Sequence, residues 1–301
     1  MGKGAIGLTA GYWPEEVFRY LAVPSIYLDE GLVGRSARRF PDKPAVVFED
    51  PHYTHRHFTY QELMADMDRT SRAVLSLLGG RGSRLAIGVK NPVDFLKLFL
   101  GALKGFYSVV LLDPSLPPEK LKEQLASFQP HLFIADEPLA SQAPAWCPGV
   151  PVASPEQVWQ IEAPAPAGVK RVDRKAPVIA MSGKNGHLFY HSHSSLLAGG
   201  LSWSAFIPLK EEDIVLSLQP QYKWEGLYEV AATLFRGATC LFGNLEDRDA
   251  LTFTLKKHQP AYVWITLEQA QELAAQPPLA LLKAMGENLM GISPPSVVPS
   301  E

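Results

Sequence analysis

The sequence predicts an α/β fold built on a largely parallel sheet covered by helices on both faces. Strand-like and helix-like segments alternate along most of the 301 residues, the order that successive β-α-β units impose. Hydrophobic residues make up 47% and charged residues 20%, an ordinary soluble composition, and the length allows one large α/β domain or two smaller ones. An apolar run, Val178 to Met181, meets a small-residue turn, Ser182-Gly183-Lys184-Asn185-Gly186, before Ser194-Ser195-Leu196-Leu197-Ala198 opens a helix.

Taken in order, Ala45 to Phe48 is a short apolar run, and Phe58-Thr59-Tyr60 follows a polar turn. From Gln61 to Leu78, residues Leu63, Met67, Val74, Leu77 and Leu78 recur close to helical spacing. Arg84 to Val89 reads as a buried strand. Asn91 is placed to cap, and Pro92 to open, a helix over Val93 to Lys104. Tyr107 to Leu112 is a strand, Pro117-Pro118-Glu119 starts a helix ending near Phe128, and His131 to Ala135 is a further strand. Prolines at 138, 144, 148, 151, 155, 164, 166 and 177 then break the rhythm. The stretch reads as a long connection holding one short strand, Val150 to Ala153, and marking a subdomain boundary. Beyond the glycine turn the alternation resumes. It runs through a helix from Ser194, strand Ile214 to Leu218, helix Glu225 to Phe235, strand Ala238 to Phe242 and helix Asp247 to His258. Strand Ala261 to Ile265 and helices between Leu267 and Glu287 follow. The tail Ser293 to Glu301 is expected to be disordered.

A formal charge of −3 gives no electrostatic reason to expect nucleic acid. Arg35, Arg38 and Arg39 form only a short basic cluster, read as the solvated face of a helix. Two cysteines, Cys147 and Cys240, are too few for a disulfide framework and lack metal spacing; a reducing, cytoplasmic setting is expected. No basic segment followed by an apolar core opens the chain, and Ile6 stands where a myristoylation signal after Met1-Gly2 wants Ser or Thr. The most apolar region, Leu96 to Leu112, is broken by Lys97 and Lys104 and too short to span a bilayer.

Glycines after a strand let the backbone turn tightly and aim N–H groups at an anion. A working phosphate loop adds a lysine and hydroxyls, whereas His187-Leu188-Phe189-Tyr190 follows this turn, with no lysine after it. The turn either retains binding of phosphate or another anion, or is kept because the fold needs it. His187, His191 and His193, and likewise His52, His55 and His57, lack Cys or acidic neighbours at a zinc spacing, so no metal is expected. The histidines near residue 55 are read as a solvated turn. Tyr222, Trp224 and Tyr228 either line an acyl or aryl pocket or belong to the core. Ser194 and Ser195 beside His193 are read as helix capping.

With these segments in order, the chain resembles the large N-terminal domain of adenylate-forming enzymes: acyl-CoA synthetases, aryl-CoA ligases and peptide-synthetase adenylation domains. The resemblance runs from about Ser36 to Ile292. It is carried by Ser36-Ala37-Arg38-Arg39-Phe40-Pro41-Asp42-Lys43-Pro44-Ala45, by Phe58-Thr59-Tyr60-Gln61-Glu62-Leu63, and by Gly101-Ala102-Leu103-Lys104-Gly105 with Leu111-Leu112-Asp113-Pro114-Ser115-Leu116-Pro117. Leu234-Phe235-Arg236-Gly237-Ala238-Thr239 adds a further marker. The resemblance implies two subdomains with mainly parallel sheets, over 36–175 with the proline-rich connection and 176–292, after an N-terminal extension 1–35 and before the tail 293–301.

It also implies ATP-dependent activation of a carboxylate with release of pyrophosphate, Mg²⁺ assistance, and transfer of the acyl group to a thiol. Three departures set this chain apart. At the phosphate loop, Ser182, Gly183 and Gly186 match, but Lys184 and Asn185 replace the usual hydroxyls and the Pro-Lys-Gly segment is missing. At Pro220-Gln221-Tyr222-Lys223-Trp224-Glu225-Gly226, Lys223 occupies the place of a histidine or aromatic residue beside the acyl pocket. The later Tyr-Gly-x-Thr-Glu signature, the ribose-binding aspartate, the hinge and the small C-terminal domain with its catalytic lysine do not follow before residue 301.

The expectation is therefore a truncated, degenerate relative of an ATP-dependent acyl-CoA ligase with no catalytic residues of its own. Its phosphate-loop remnant is Ser182, Gly183, Lys184 and Gly186, and its acyl-pocket candidates are Tyr222, Lys223, Trp224 and Gly226. ATP and Mg²⁺ enter only if the family activity is retained. The expected ligand is an acyl or aryl carboxylate, with a protein partner or self-association through the truncated surface. Two alternatives stay open: one part of a split acid-thiol ligase completed by another polypeptide, and a scaffold without ligand.

Overall fold

The computed structural model describes residues 23–49, 55–80, 82–164, 171–183, 185–206, 209–243 and 247–265. A π-helical turn, Glu30–Gly34, runs into α1 (Arg35–Arg39). β1 (Pro44–Glu49) and β2 (His55–Thr59) follow, then α2 (Tyr60–Leu78). The Thr59 hydroxyl accepts from the Glu62 N–H at 3.1 Å while Glu62 Oε2 accepts from the Thr59 N–H at 2.8 Å, and this reciprocal cap fixes the first turn of α2. β3 (Arg84–Gly88) leads into α3 (Pro92–Lys104), where Asn91 Oδ1 accepts from the Val93 and Asp94 N–H groups, the cap expected from sequence.

β4 (Ser108–Leu111), α4 (Pro118–Phe128) and β5 (Leu132–Ala135) continue the alternation. The proline-rich connection holds two short helices as well as its one expected short strand. It contains α5 (Leu139–Trp146), β6 (Val152–Ala153) and α6 (Pro155–Trp159). Pro155 opens α6 behind a Ser154–Gln157 cap, where the missing N–H is not needed. The chain goes on through β7 (Ile179–Ser182), β8 (Leu188–His191), α7 (His193–Phe206) and β9 (Ile214–Ser217). Then come α8 (Trp224–Phe235), β10 (Thr239–Phe242), α9 (Arg248–His258) and β11 (Tyr262–Trp264). The helices expected between Leu267 and Glu287, the tail and His52 lie outside the described residues.

The strands form two sheets, ordered β11-β9-β10-β1-β2 and β6-β5-β3-β4-β7-β8. Every neighbouring pair is parallel except β1–β2 and β7–β8. This is the expected α/β fold, with mostly parallel sheets flanked by helices. One local expectation is corrected. His55 and His57 belong to strand β2, with His57 opposite Val47, rather than to a solvated turn. Residues 188–191 form a strand that pairs antiparallel with β7, Met181 opposite Phe189, because an aromatic-rich run suits a sheet edge. Sheet membership and a division of the chain at 175/176 are different partitions: β7 and β8 join β3–β6, whereas β1 and β2 join β9–β11.

The largest buried cluster spans both sheets, taking in Val46, Leu63, Phe99, Leu111, Met181, Val230 and Phe242. It also takes in Leu28, Leu32 and Val33, so residues just before α1 are part of the core. The segment around Pro44 is clamped to the far end of the chain. Lys43 Nζ donates to the Glu211 and Gly237 carbonyls, the Tyr60 hydroxyl to Ala238 C=O at 2.7 Å, and Thr239 Oγ1 to Pro44 C=O at 2.7 Å. Burial lowers the Lys43 pKa and raises that of Tyr60. Tyr60→Phe should lower stability by about 1–2 kcal/mol in urea unfolding, because a buried carbonyl loses its side-chain donor. An unchanged midpoint would remove this clamp from the account. No helix among the described residues is long and apolar enough to cross a membrane.

Candidate functional site

The glycine turn is the tip of the β7–β8 hairpin. Ser182 pairs with Leu188, the Gly183 N–H donates to His187 C=O at 2.7 Å, and the Gly186 N–H donates to Gly183 C=O at 2.9 Å. Gly186 adopts φ 77°, a left-handed conformation that glycine reaches without strain. Lys184 lies outside the described residues. The Ser182 hydroxyl donates to Gln124 Oε1 at 3.1 Å, and Gln124 Nε2 donates to Gly186 C=O at 2.6 Å. Holding a triphosphate takes converging N–H groups, a free hydroxyl and a cation. Two N–H groups and the hydroxyl are already engaged within the protein, so the described part of the turn does not fit the phosphates of Mg·ATP.

The second candidate segment opens α8. Lys223 is the N-cap residue, and its Nζ lies 3.9 Å from Asp113 Oδ2 with the lysine side chain 45% exposed. Asp113, just past β4, is buried, and its Oδ1 accepts from the Ser115 N–H at 2.9 Å and hydroxyl at 2.6 Å. Lys223 therefore ties the start of α8 to the end of β4, leaving an ammonium open to solvent on one side. Gly226 is required by packing: a Cβ there would come 2.4 Å from Pro220 O and 2.8 Å from Gln219 O. That contact lets the segment carrying Tyr222 and Lys223 cross closely over α8.

Trp224 and Tyr228 stack into an aromatic cluster. Trp224 lies 5.8 Å from Tyr228 and 6.3 Å from Trp203 between ring centroids, Trp203 lies 6.2 Å from Tyr228 and 4.8 Å from Trp264, and His191 lies 5.8 Å from Tyr228. Tyr222 and Trp224 also pack against the main core. Burial pushes the Tyr228 hydroxyl up to about 12. These spacings are those of packed edge-to-face and tilted pairs, so the rings wall the segment behind Lys223 with apolar surface.

The histidines do not converge. His193 is fully buried at the start of α7, its Nδ1 accepting from the Leu28 N–H at 3.3 Å while burial pulls its pKa down to about 4. It is neutral at pH 7. His191 Nδ1 lies 3.4 Å from Ser195 Oγ, and burial lowers its pKa too. The α7 cap uses Ser192 and Ser195, each N–H donating to the other's hydroxyl at 2.8 and 3.0 Å. Among the described residues no group of three or more His, Cys, Asp or Glu is placed to hold a metal ion.

Two residues stand out among the buried polar groups that sequence reasoning misses. Gln124 is one. The other is Glu229, 2% exposed in α8, whose Oε2 accepts from the Ser217 hydroxyl at 2.6 Å. Burial raises its pKa well above the usual carboxylate range. The available signal is a charged residue inside an apolar helical stripe, Leu227 to Leu234.

Residues 33–180 match the family model described as AMP-binding enzyme; the match ends within β7, before the glycine turn. Bacitracin synthase 1 of Bacillus licheniformis is 29% identical over 114 residues, covering 38% of this chain and 2% of that protein. The crystal structure of the N-terminal domain of FACL13 from Mycobacterium tuberculosis aligns with a TM-score of 0.74 at 21% identity, covering 85% of this chain and 66% of that one. VinN, solved as a complex with L-aspartate, aligns with a TM-score of 0.70 at 19% identity, covering 88% and 74%. The chain thus spans a small fraction of the curated relative's length, and at such identities the structural likeness speaks for the fold.

Proposed function

We propose, from the match of residues 33–180 to the AMP-binding enzyme family and the likeness of the fold to an acyl-CoA synthetase-like N-terminal domain, that this chain is a degenerate synthetase-like protein of the adenylate-forming ligases. In this reading it receives an acyl or aryl carboxylate and does not adenylate it unaided. The supporting observation is the glycine turn: the Gly183 and Gly186 N–H groups donate within the turn, and the Ser182 hydroxyl donates to Gln124. No catalytic residue is assigned.

The carboxylate is received beside Lys223, whose ammonium has one long contact to Asp113 and an exposed side. Tyr222, Trp224 and the close crossing at Gly226 shape the wall behind it. A reducing, cytoplasmic setting goes with this reading, supported by Cys147 and Cys240 both being free and buried. Thermal unfolding with a panel of acyl and aryl carboxylates tests the proposal. At least one should raise the melting temperature, by an amount equivalent to about 2.7 kcal/mol at a hundredfold excess over Kd, with no further effect of Mg·ATP. Lys223→Met should weaken that carboxylate about tenfold, as expected for losing a charged partner. Carboxylate-dependent pyrophosphate release from Mg·ATP by the purified chain would overturn the proposal.

A further inference from the structure

We propose that Gln124 is the positioning residue that staples the glycine turn in its closed form; the inference rests on reading that turn as a phosphate-loop remnant. Gln124 lies on the buried face of α4 with Leu121, Leu125 and Phe128, and only 2% of it is exposed. An amide at such a position is unfavourable unless its donor and acceptor are both satisfied. Both are satisfied by the turn: Oε1 accepts from Ser182 Oγ at 3.1 Å and Nε2 donates to Gly186 C=O at 2.6 Å.

The amide thus grips both ends of the turn from a different layer of the fold. It orients the Ser182 hydroxyl toward α4, and it fixes Gly186, whose N–H closes onto Gly183 C=O. The Lys120 side chain covers the same side, its Cδ 3.1 Å from where a Cβ on Gly186 would stand. For the turn to present the Ser182 hydroxyl to an anion, its bond to Gln124 must first break, and for the Gly186 N–H to swing outward the Gln124 hold on the Gly186 carbonyl must also loosen. A tethered hydroxyl cannot also serve a phosphate oxygen.

Gln124→Met keeps the length and removes both bonds. Amide hydrogen exchange at Gly183 and Gly186 should quicken at least tenfold, with β3 and β4 amides unchanged, a local opening rather than global unfolding. Ser182→Ala, which removes one bond, should give a smaller acceleration. Inorganic tripolyphosphate should bind Gln124→Met at least fivefold more tightly than the wild type. If that variant does not fold, Gln124→Glu is read instead: its carboxylate faces the Gly186 carbonyl at neutral pH, and protonation on acidification restores the donor. Turn protection, corrected for intrinsic exchange, should then rise as pH falls. Unchanged turn exchange, acceleration spread equally over β3 and β4, or faster exchange without gain in tripolyphosphate affinity would each overturn the inference. Titration of the wild type with Mg·ATP reports separately on the proposed function, so the two can fail independently.

Discussion

Gly226→Ala is expected to destabilise the protein by about 3 kcal/mol, the upper end for forcing extra volume into a packed site. An exposed Gly→Ala change inside a helix normally stabilises by roughly 1 kcal/mol. The sign reverses because the new methyl would meet Pro220 O at 2.4 Å and Gln219 O at 2.8 Å. Those obstacles are backbone atoms, which cannot rotate aside as a side chain can. Relief requires the 219–223 segment to lift off α8, carrying Tyr222 and Lys223 with it. The urea midpoint should therefore fall at unchanged m, and the carboxylate response beside Lys223 should disappear in the same variant. A neutral or stabilised Gly226→Ala protein would mean that the segment does not cross α8 this closely.

The second large effect is on pH dependence, set by two buried groups of opposite sense. Glu229 holds its proton more tightly in the folded state, well above its ordinary value of 4.5. Its contribution to stability is complete below that value and is lost as pH rises through the folded pKa. His193 is the reverse, lowered from 6.5 to about 4. The unfolded chain takes up its proton first, so stability falls as pH drops from 6.5 toward 4, by roughly 3 kcal/mol. Glu229→Gln keeps an acceptor for Ser217 and removes the ionisable group. It should raise stability at pH 8 by about 1–2 kcal/mol, the penalty avoided by not desolvating a charged group, and leave the acid limb in place. Equal destabilisation of Glu229→Gln at pH 5 and pH 8 would show that the residue acts only as a hydrogen-bond partner.

The alternation of strands and helices was legible because buried apolar runs and the Asn91-Pro92 start are local signals. The proline-rich connection misled for a local reason as well. Proline disfavours helix interiors but suits first turns; Ser154-Pro155-Glu156-Gln157 carries both a cap and that placement, and α5 tolerates Pro144 within its eight residues. Asn185-Gly186 between the apolar runs 178–181 and 188–190 is a hairpin signal, and it accounts for β8, a strand the sequence reading left unassigned. The capping pair Thr59 and Glu62 was equally readable, three residues apart. The site was less so. Lys223 was singled out, but its Asp113 partner lies on another strand's end. Gln124 with Ser182 and Gly186, and Glu229 with Ser217, are pairings of residues far apart in the chain. Only the fold brings them together.

That the Gly183 and Gly186 N–H groups and the Ser182 hydroxyl are engaged within the protein, rather than offered to a triphosphate, is the point on which the rest depends. Isothermal titration of the purified 301-residue chain with Mg·ATP tests it most directly. No binding tighter than about 1 mM is expected, a free energy weaker than roughly 4 kcal/mol. A saturable micromolar isotherm, lost in Ser182→Ala, would contradict it.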